Sequence, residues 1–246
     1  MSKDCFIVRD RRGFLTSVSS VAALAVAGCA ASTMAGMDAS EGSKREEEHE
    51  EGEGAEVTPG EDLMQEHGVL ERVLLVYDEA ALRLERGTAV DPALIADSAG
   101  IIRRFIEEYH EKQEEDFVFP RMQKLGREVA LVTTLKEQHL RGRALTDAIL
   151  AMVRAPTPID TTMLARQLRA FVHMYRPHAA REETVLIPAF RKTLDRDGYA
   201  ELGEKFEERE HKLFGEGGFE SAVADVAKVE AGLGIGDLAS FTPKTA

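Results

Sequence analysis

Tryptophan is absent from this 246-residue chain, and cysteine occurs only as Cys5 and Cys29. Two cysteines near one end cannot staple a body that runs to residue 246, so a disulfide framework is excluded. A zinc site of the multi-cysteine kind is excluded with it. Basic residues are in deficit: 31 Lys and Arg stand against 44 Asp and Glu, a formal net charge of −13. That balance argues against non-specific binding to nucleic acid or anionic lipid. No stretch reads as a strand. What is present is enough apolar residue, 43%, for a buried core, and seven histidines. Any metal must be held by imidazoles and carboxylates.

The first 60 residues read as an address and a tether. Asp10-Arg11-Arg12-Gly13-Phe14-Leu15 precedes a small, apolar run from Val18 to Gly28. The run is too short to span a bilayer, but it has the basic and apolar regions of a secretory signal. The paired arginines followed by Phe-Leu resemble a twin-arginine export signal. Val26-Ala27-Gly28-Cys29 resembles a lipobox, so Cys29 is the expected lipidation site and new N-terminus, with Cys5 removed in residues 1–28. The expected location is on the extracytoplasmic (periplasmic) side, anchored by lipid rather than by surface charge. Residues 29–60 are rich in Ala, Ser, Gly and Glu and lack apolar periodicity, which predicts an acidic, disordered tether. His49 lies in that charge run and is expected to be solvated.

From residue 61 onward the spacing is helical. Leu63, His67, Leu70, Leu74 and Tyr77 recur at steps of three and four. The first helix is placed at about 60–86. Asp91-Pro92 supplies a cap and a first-turn proline for a second, from about 92 to 122. A third follows Gly126 and runs to about Arg154. Asp160 caps a fourth that runs to about Leu194. The prediction is an all-α protein: an up-down-up-down four-helix bundle over 61–195, with one or two extra helices and a tail over 196–246.

The second and fourth helices repeat each other. His110-Glu111-Lys112-Gln113-Glu114-Glu115-Asp116-Phe117-Val118-Phe119-Pro120 matches His178-Ala179-Ala180-Arg181-Glu182-Glu183-Thr184-Val185-Leu186-Ile187-Pro188. The first and third match more faintly, as Leu63-x-x-x-His67 and Leu135-x-x-x-His139. Residues four apart share a helix face, so His110 pairs with Glu114 and His178 with Glu182. Ile106, His110 and Phe117 are placed on one face, and Tyr175, His178, Glu182 and Val185 on another. A lone buried histidine is more often a hydrogen-bonded core residue than a ligand. Four of them with two matched glutamates are a different matter, because burying the charged groups without partners costs several kcal/mol each. A shared pair of dications removes that cost, each taking two imidazoles and two carboxylate oxygens.

These motifs and their order resemble the bacterial hemerythrin-like family, the HHE cation-binding domain. The resemblance implies a non-haem centre of two iron ions, with manganese compatible, that binds O2 or a related diatomic such as nitric oxide. It implies His67, His110, Glu114, His139, His178 and Glu182 as ligands, with Glu114 and Glu182 bridging. It implies a role in oxygen or iron sensing, storage or carriage. The alternative is a redox enzyme that reduces nitric oxide or peroxide, for which the sequence offers no separate proton relay. One departure stands out. Oxygen-carrying members place a second histidine four residues after the third-helix one, where this chain has Arg143. Tyr175 is placed beside the site as a donor to a ligand or bound oxygen species. Glu111, Glu115 and Glu183 read as solvated helix faces, Glu111 alone being open to an acid role behind the ligands. His173 is expected to face away unless a kink at Pro177 swings it inward, and His211 is expected at the surface.

Overall fold

A computed structural model describes residues 57–156 and 158–243. The expected export signal, Cys29, His49 and most of the tether lie outside the described residues.

Six helices follow one another, and the described residues contain no strand. Helix α1 is Pro59–Glu85. It starts on a capping box: Thr58 accepts from the Glu61 N–H while the Glu61 carboxylate accepts from the Thr58 N–H. Helix α2 spans 92–124, beginning at Pro92 under an Asp91 cap. Helix α3 is Val129–Arg154. Helix α4 spans 161–191 under an Asp160 cap. Helix α5 is Arg196–Phe214 and helix α6 is Gly218–Leu233, followed by a single 3-10 turn at Leu238–Phe241. The fourth helix stops a few residues short of the expected Leu194. The fifth begins at Arg196, because Asp195 accepts from the Gly198 N–H and caps it. Among the described residues, no helix is long and apolar enough to cross a membrane.

Side-chain pairs fix the topology. Along α1 and α4, His67 meets Glu183 while Glu85 meets Arg169, so the two run antiparallel. Along α2 and α3, Glu115 meets His139 while Glu107 meets Thr146. Gln138 with His178, and Gly142 beside Tyr175, oppose α3 and α4 in the same sense. This is the predicted up-down-up-down order. Helix α6 is tied to α1 through Arg72 and Glu230. Helix α5 is tied to it through the Tyr199 hydroxyl, which accepts the Gly60 N–H at 2.8 Å.

The apolar core is in two layers. One is built on Tyr77, Ile106, Phe171 and Tyr175, the other on Leu63, Phe119, Leu135 and Leu186. On each of the first four helices the buried histidines and glutamates lie between a residue of one layer and a residue of the other. The polar groups therefore form a belt across the bundle.

Ile102–His110 is π-helical, and so are two stretches that begin at the inner carboxylates: Glu114–Val118 and Glu182–Leu186. In each of these two, the N–H five residues on (Phe119, Ile187) reaches back to the glutamate carbonyl. Pro120 or Pro188 comes next and removes an N–H from the ladder, which loosens it at that turn. The extra residue shifts the faces predicted from α spacing. Val118, Phe119 and Leu186 are buried, whereas Phe117 is only partly buried and Val185 is exposed.

Candidate metal centre

The belt brings His67, His110, Glu114, His139, His178 and Glu182 together, all buried. The four imidazoles turn their Nε2 atoms inward. Glu182 Oε2 lies 3.0 Å from His178 Nε2 and 3.4 Å from His67 Nε2. Glu114 Oε2 lies 3.5 Å from His139 Nε2 and 3.8 Å from His110 Nε2. Each carboxylate thus stands between one histidine of the first half-repeat and one of the second. Three donor groups among the described residues could each hold an ion: Glu114, His139, His178 and Glu182; His67, His110 and Glu114; and, on the outward Nδ1 of His139, Glu111, Glu115 and His139.

The outward nitrogens are all engaged. His67 Nδ1 donates to Glu183 at 3.2 Å, His110 Nδ1 to Glu66 at 2.7 Å, and His139 Nδ1 to Glu115 at 3.1 Å. His178 Nδ1 donates to Gln138 Oε1 at 2.9 Å. An acceptor on Nδ1 fixes the tautomer and leaves the inner Nε2 with its lone pair in the neutral ring. His67 Nε2 and His110 Nε2 lie 3.1 Å apart, so a proton or a metal cation must lie between them. All four oxygens of Glu114 and Glu182, and His139 Nε2, are buried without a well-directed hydrogen bond. Buried acceptors left this way cost about 1–3 kcal/mol each. The donor set therefore fits dications bound by nitrogen and oxygen.

Electrostatics without metal points the same way. Burial opposes charge on His67, but Glu182 and Glu183 outweigh it and raise its pKa to about 10. Burial likewise opposes charge on His139, and Glu111, Glu114 and Glu115 raise it to about 10. His110 is lowered to about 4 by burial. Glu114 is raised by burial and by Glu182. In the metal-free protein at pH 7, His67 and His139 are thus cationic and hold protons where a metal would sit. A metal needs both neutral, so loading at pH 7 is expected to release about two protons. Apparent affinity should rise with pH until those groups are titrated. Calorimetry in buffers of different ionisation enthalpy measures the release, and a value of zero would contradict the assignment.

The sequence reading missed the backing groups. Glu115 and Glu183 are not solvated faces but acceptors for His139 and His67, and Glu66 and Gln138 complete the set. Each sits beside an inner histidine or glutamate in the chain, and helical rotation brings it onto the imidazole of a neighbouring helix. The repeat carried a signal: residues 115 and 183 each follow a buried glutamate, while 66 and 138 each precede a buried histidine. Glu111 is buried as well, and accepts from the Tyr175 hydroxyl at 2.7 Å and from Arg143 at 2.6 Å. Arg143 also donates to Glu115 at 2.6 Å, so its guanidinium neutralises carboxylates behind the site. The Tyr175 ring lies beside His178, with centroids 5.3 Å apart. Beyond them Glu107 is buried, accepts from Thr146 at 2.6 Å and pairs with Arg103, which reaches exposed Asp147. Burial raises the Glu107 carboxyl to about 7. Polar groups therefore lie behind the centre in two hydrogen-bonded sets, one around Glu111 and one around Glu107. His173 and His211 are exposed, and Pro177 does not bring His173 inward.

Comparison with known proteins agrees. Residues 58–190 match the family model of the hemerythrin HHE cation-binding domain. Uncharacterized proteins of Mycobacterium bovis and of two strains of Mycobacterium tuberculosis are 45% identical over 190 residues, covering 76% of this chain and 74% of theirs. No solved structure matches. With the family model spanning the four bundle helices and the buried histidines and glutamates fitting a metal site, the chain belongs to the hemerythrin HHE cation-binding family.

Proposed function

We propose that His67, His110, Glu114, His139, His178 and Glu182 hold two iron ions, with Glu114 and Glu182 bridging, and that the centre binds O2 or a related diatomic such as nitric oxide. Manganese is compatible with the same donors. The observation that carries this reading is the convergence of four inward Nε2 atoms on two buried carboxylates without well-directed hydrogen bonds. Two irons there would supply reducing electrons and open positions for a small ligand. The protein's own contribution is to hold the donors and keep water out. The Nδ1 acceptors lock ring orientation. Phe119 packs on the His139 ring with centroids 5.3 Å apart, and the two apolar layers close the belt above and below. Export and lipid attachment at Cys29 would place this domain outside the cytoplasm on an acidic tether.

One observation favours the second reading, a reductase for nitric oxide or peroxide. Glu107 is buried near Glu111 and Tyr175, and burial raises its carboxyl to about 7, so it could hold a proton for a proton-consuming reaction. The two readings separate in one experiment. Iron is measured per chain, and O2 is then added to the reduced protein anaerobically while its optical bands are followed. A reversible spectrum supports binding. Irreversible oxidation with turnover of peroxide or nitric oxide overturns it in favour of the enzyme.

A further inference from the structure

Helices α5 and α6 lie beyond residues 58–190, the part of the chain that matches the family model. Helix α6 packs closely on α2: a methyl group added at Gly232 would lie 2.7 Å from Leu94 Cδ2. Where these two helices meet the last turn of α3, a cavity of about 320 Å3 lies between them. That volume is at the lower end of the range for small-molecule sites. Its lining includes none of the six inner histidines and glutamates. The buried part of the lining is apolar, with Ile101 from α2 and Val229 from α6, and half-buried Leu94 beside them. The outer part is charged. Asp225 and Lys228 pair with each other at 2.8 Å. Arg104 and Arg154 also line the cavity, and neither has an ion pair among the described residues. The chain holds 44 acidic residues against 31 basic ones, so two unpaired guanidiniums over one cavity are unexpected. Arg104 has a seat there. Gly100 is buried one turn before it, and a methyl group at Gly100 would lie 3.0 Å from Arg104 Nη1. Glycine inside a helix weakens it, and here the missing side chain lets the guanidinium lie against the helix.

We propose that this cavity binds a small organic carboxylate with an apolar body, held by Arg104 and Arg154. A guanidinium presents a planar fork of N–H donors that matches the two oxygens of a carboxylate. Apart from the Asp225 and Lys228 pair, the two guanidiniums face one carboxylate, Asp97. One positive charge is left over. A monoanion balances it, whereas a phosphate dianion exceeds it. Leu94, Ile101 and Val229 would take the apolar part, and each methylene buried there is worth about fourfold in affinity. Because α6 supplies one wall, the site belongs to the C-terminal extension and not to the bundle alone.

The test uses the full chain, with and without iron, and titration calorimetry with sodium hexanoate as the probe. Acetate, inorganic phosphate and hexylamine are the comparisons. Hexanoate should bind at one site per chain, and about tenfold or more tightly than acetate, which lacks the apolar chain. Arg104→Gln and Arg154→Gln should each weaken it by about fivefold or more. Asp97→Asn should tighten it by about twofold, because it removes the opposing charge. All three positions are exposed, so helix content by circular dichroism should not change. Hexanoate binding that requires iron would place the acid at the metal centre and overturn the proposal. Absence of saturable hexanoate binding would overturn it, as would an affinity unchanged in both arginine variants. Hexylamine bound as tightly as hexanoate, or phosphate bound more tightly, would overturn the assignment to an apolar carboxylate.

Discussion

Replacing Glu114 with glutamine is expected to remove most of the metal while leaving the metal-free fold at least as stable as before. Glu114 stands between His110 and His139, so its loss reaches both ions. The drop in affinity should exceed the roughly 10–100-fold that follows from disturbing a group behind a ligand. Stability moves the other way for a separate reason. Without metal, this carboxylate is fully buried, neither oxygen has a well-directed hydrogen bond, and burial and Glu182 raise its pKa in spite of His110 and His139. Glutamine keeps the shape and removes the charge. A gain on the order of 1 kcal/mol is reasonable for relieving such a group. Iron per chain by elemental analysis reads the first effect, and the urea midpoint of the metal-free protein reads the second. Retention of two irons would remove Glu114 from the ligand set. Glu182→Ala and His110→Ala should also lose metal, but Glu182 pairs with protonated His67 in the metal-free state, so no gain in stability is expected from its removal.

Gly142→Ala should be the most damaging small substitution in the bundle. Gly142 is buried on α3 against the flat ring of Tyr175. A methyl group there would overlap the Tyr175 hydroxyl and lie 2.7 Å from Cζ. The ring cannot easily yield, because it stacks on Phe171 at 4.4 Å and its hydroxyl is bonded to Glu111. Overpacking of this kind costs about 1–3 kcal/mol, and losing the charged hydrogen bond adds about 1.5–3. Alanine returns only about 1 kcal/mol in helix propensity. The expected net loss is about 2 kcal/mol or more, read from the denaturant midpoint. Gly68→Ala is the control. It lies on an exposed face of α1 with nothing within 4 Å of the added methyl, so it should stabilise by roughly 0.5–1 kcal/mol. If both glycines tolerate alanine equally, the close packing of Tyr175 on α3 is wrong.

The six inner residues were legible because two independent patterns coincide on them. His110 with Glu114, and His178 with Glu182, obey helical spacing, and the half-motif recurs. Helix starts at Pro92 and Thr161 were legible from aspartate caps, since a cap is a local hydrogen bond. The backing residues were not, because their role depends on a neighbouring helix. Glu66, Glu115 and Glu183 look like surface charges along their own helices, and only packing turns them onto an imidazole. Glu107 was hidden for the same reason: nothing local distinguishes it from an exposed acid until Thr146 and Arg103 close over it. Phe117 and Val185 were misplaced because regular α spacing was assumed across turns that are wider.

Those wide turns at Glu114 and Glu182 have a consequence for chain length. A π turn is one residue more than an α-helix needs over the same rise. Each half of the bundle therefore carries a surplus residue, lodged directly after its inner carboxylate. The spare residue is what lets Val118 and Leu186, rather than Phe117 and Val185, fill the lower layer. A deletion within 115–118 or 183–186 would let the helix close up without changing its length along the axis. In the regular α-helical stretches a one-residue deletion would turn a whole face out of the core. The reading frame of the bundle thus has slack directly after each inner carboxylate, at the belt, as well as in the π-helical 102–110 stretch.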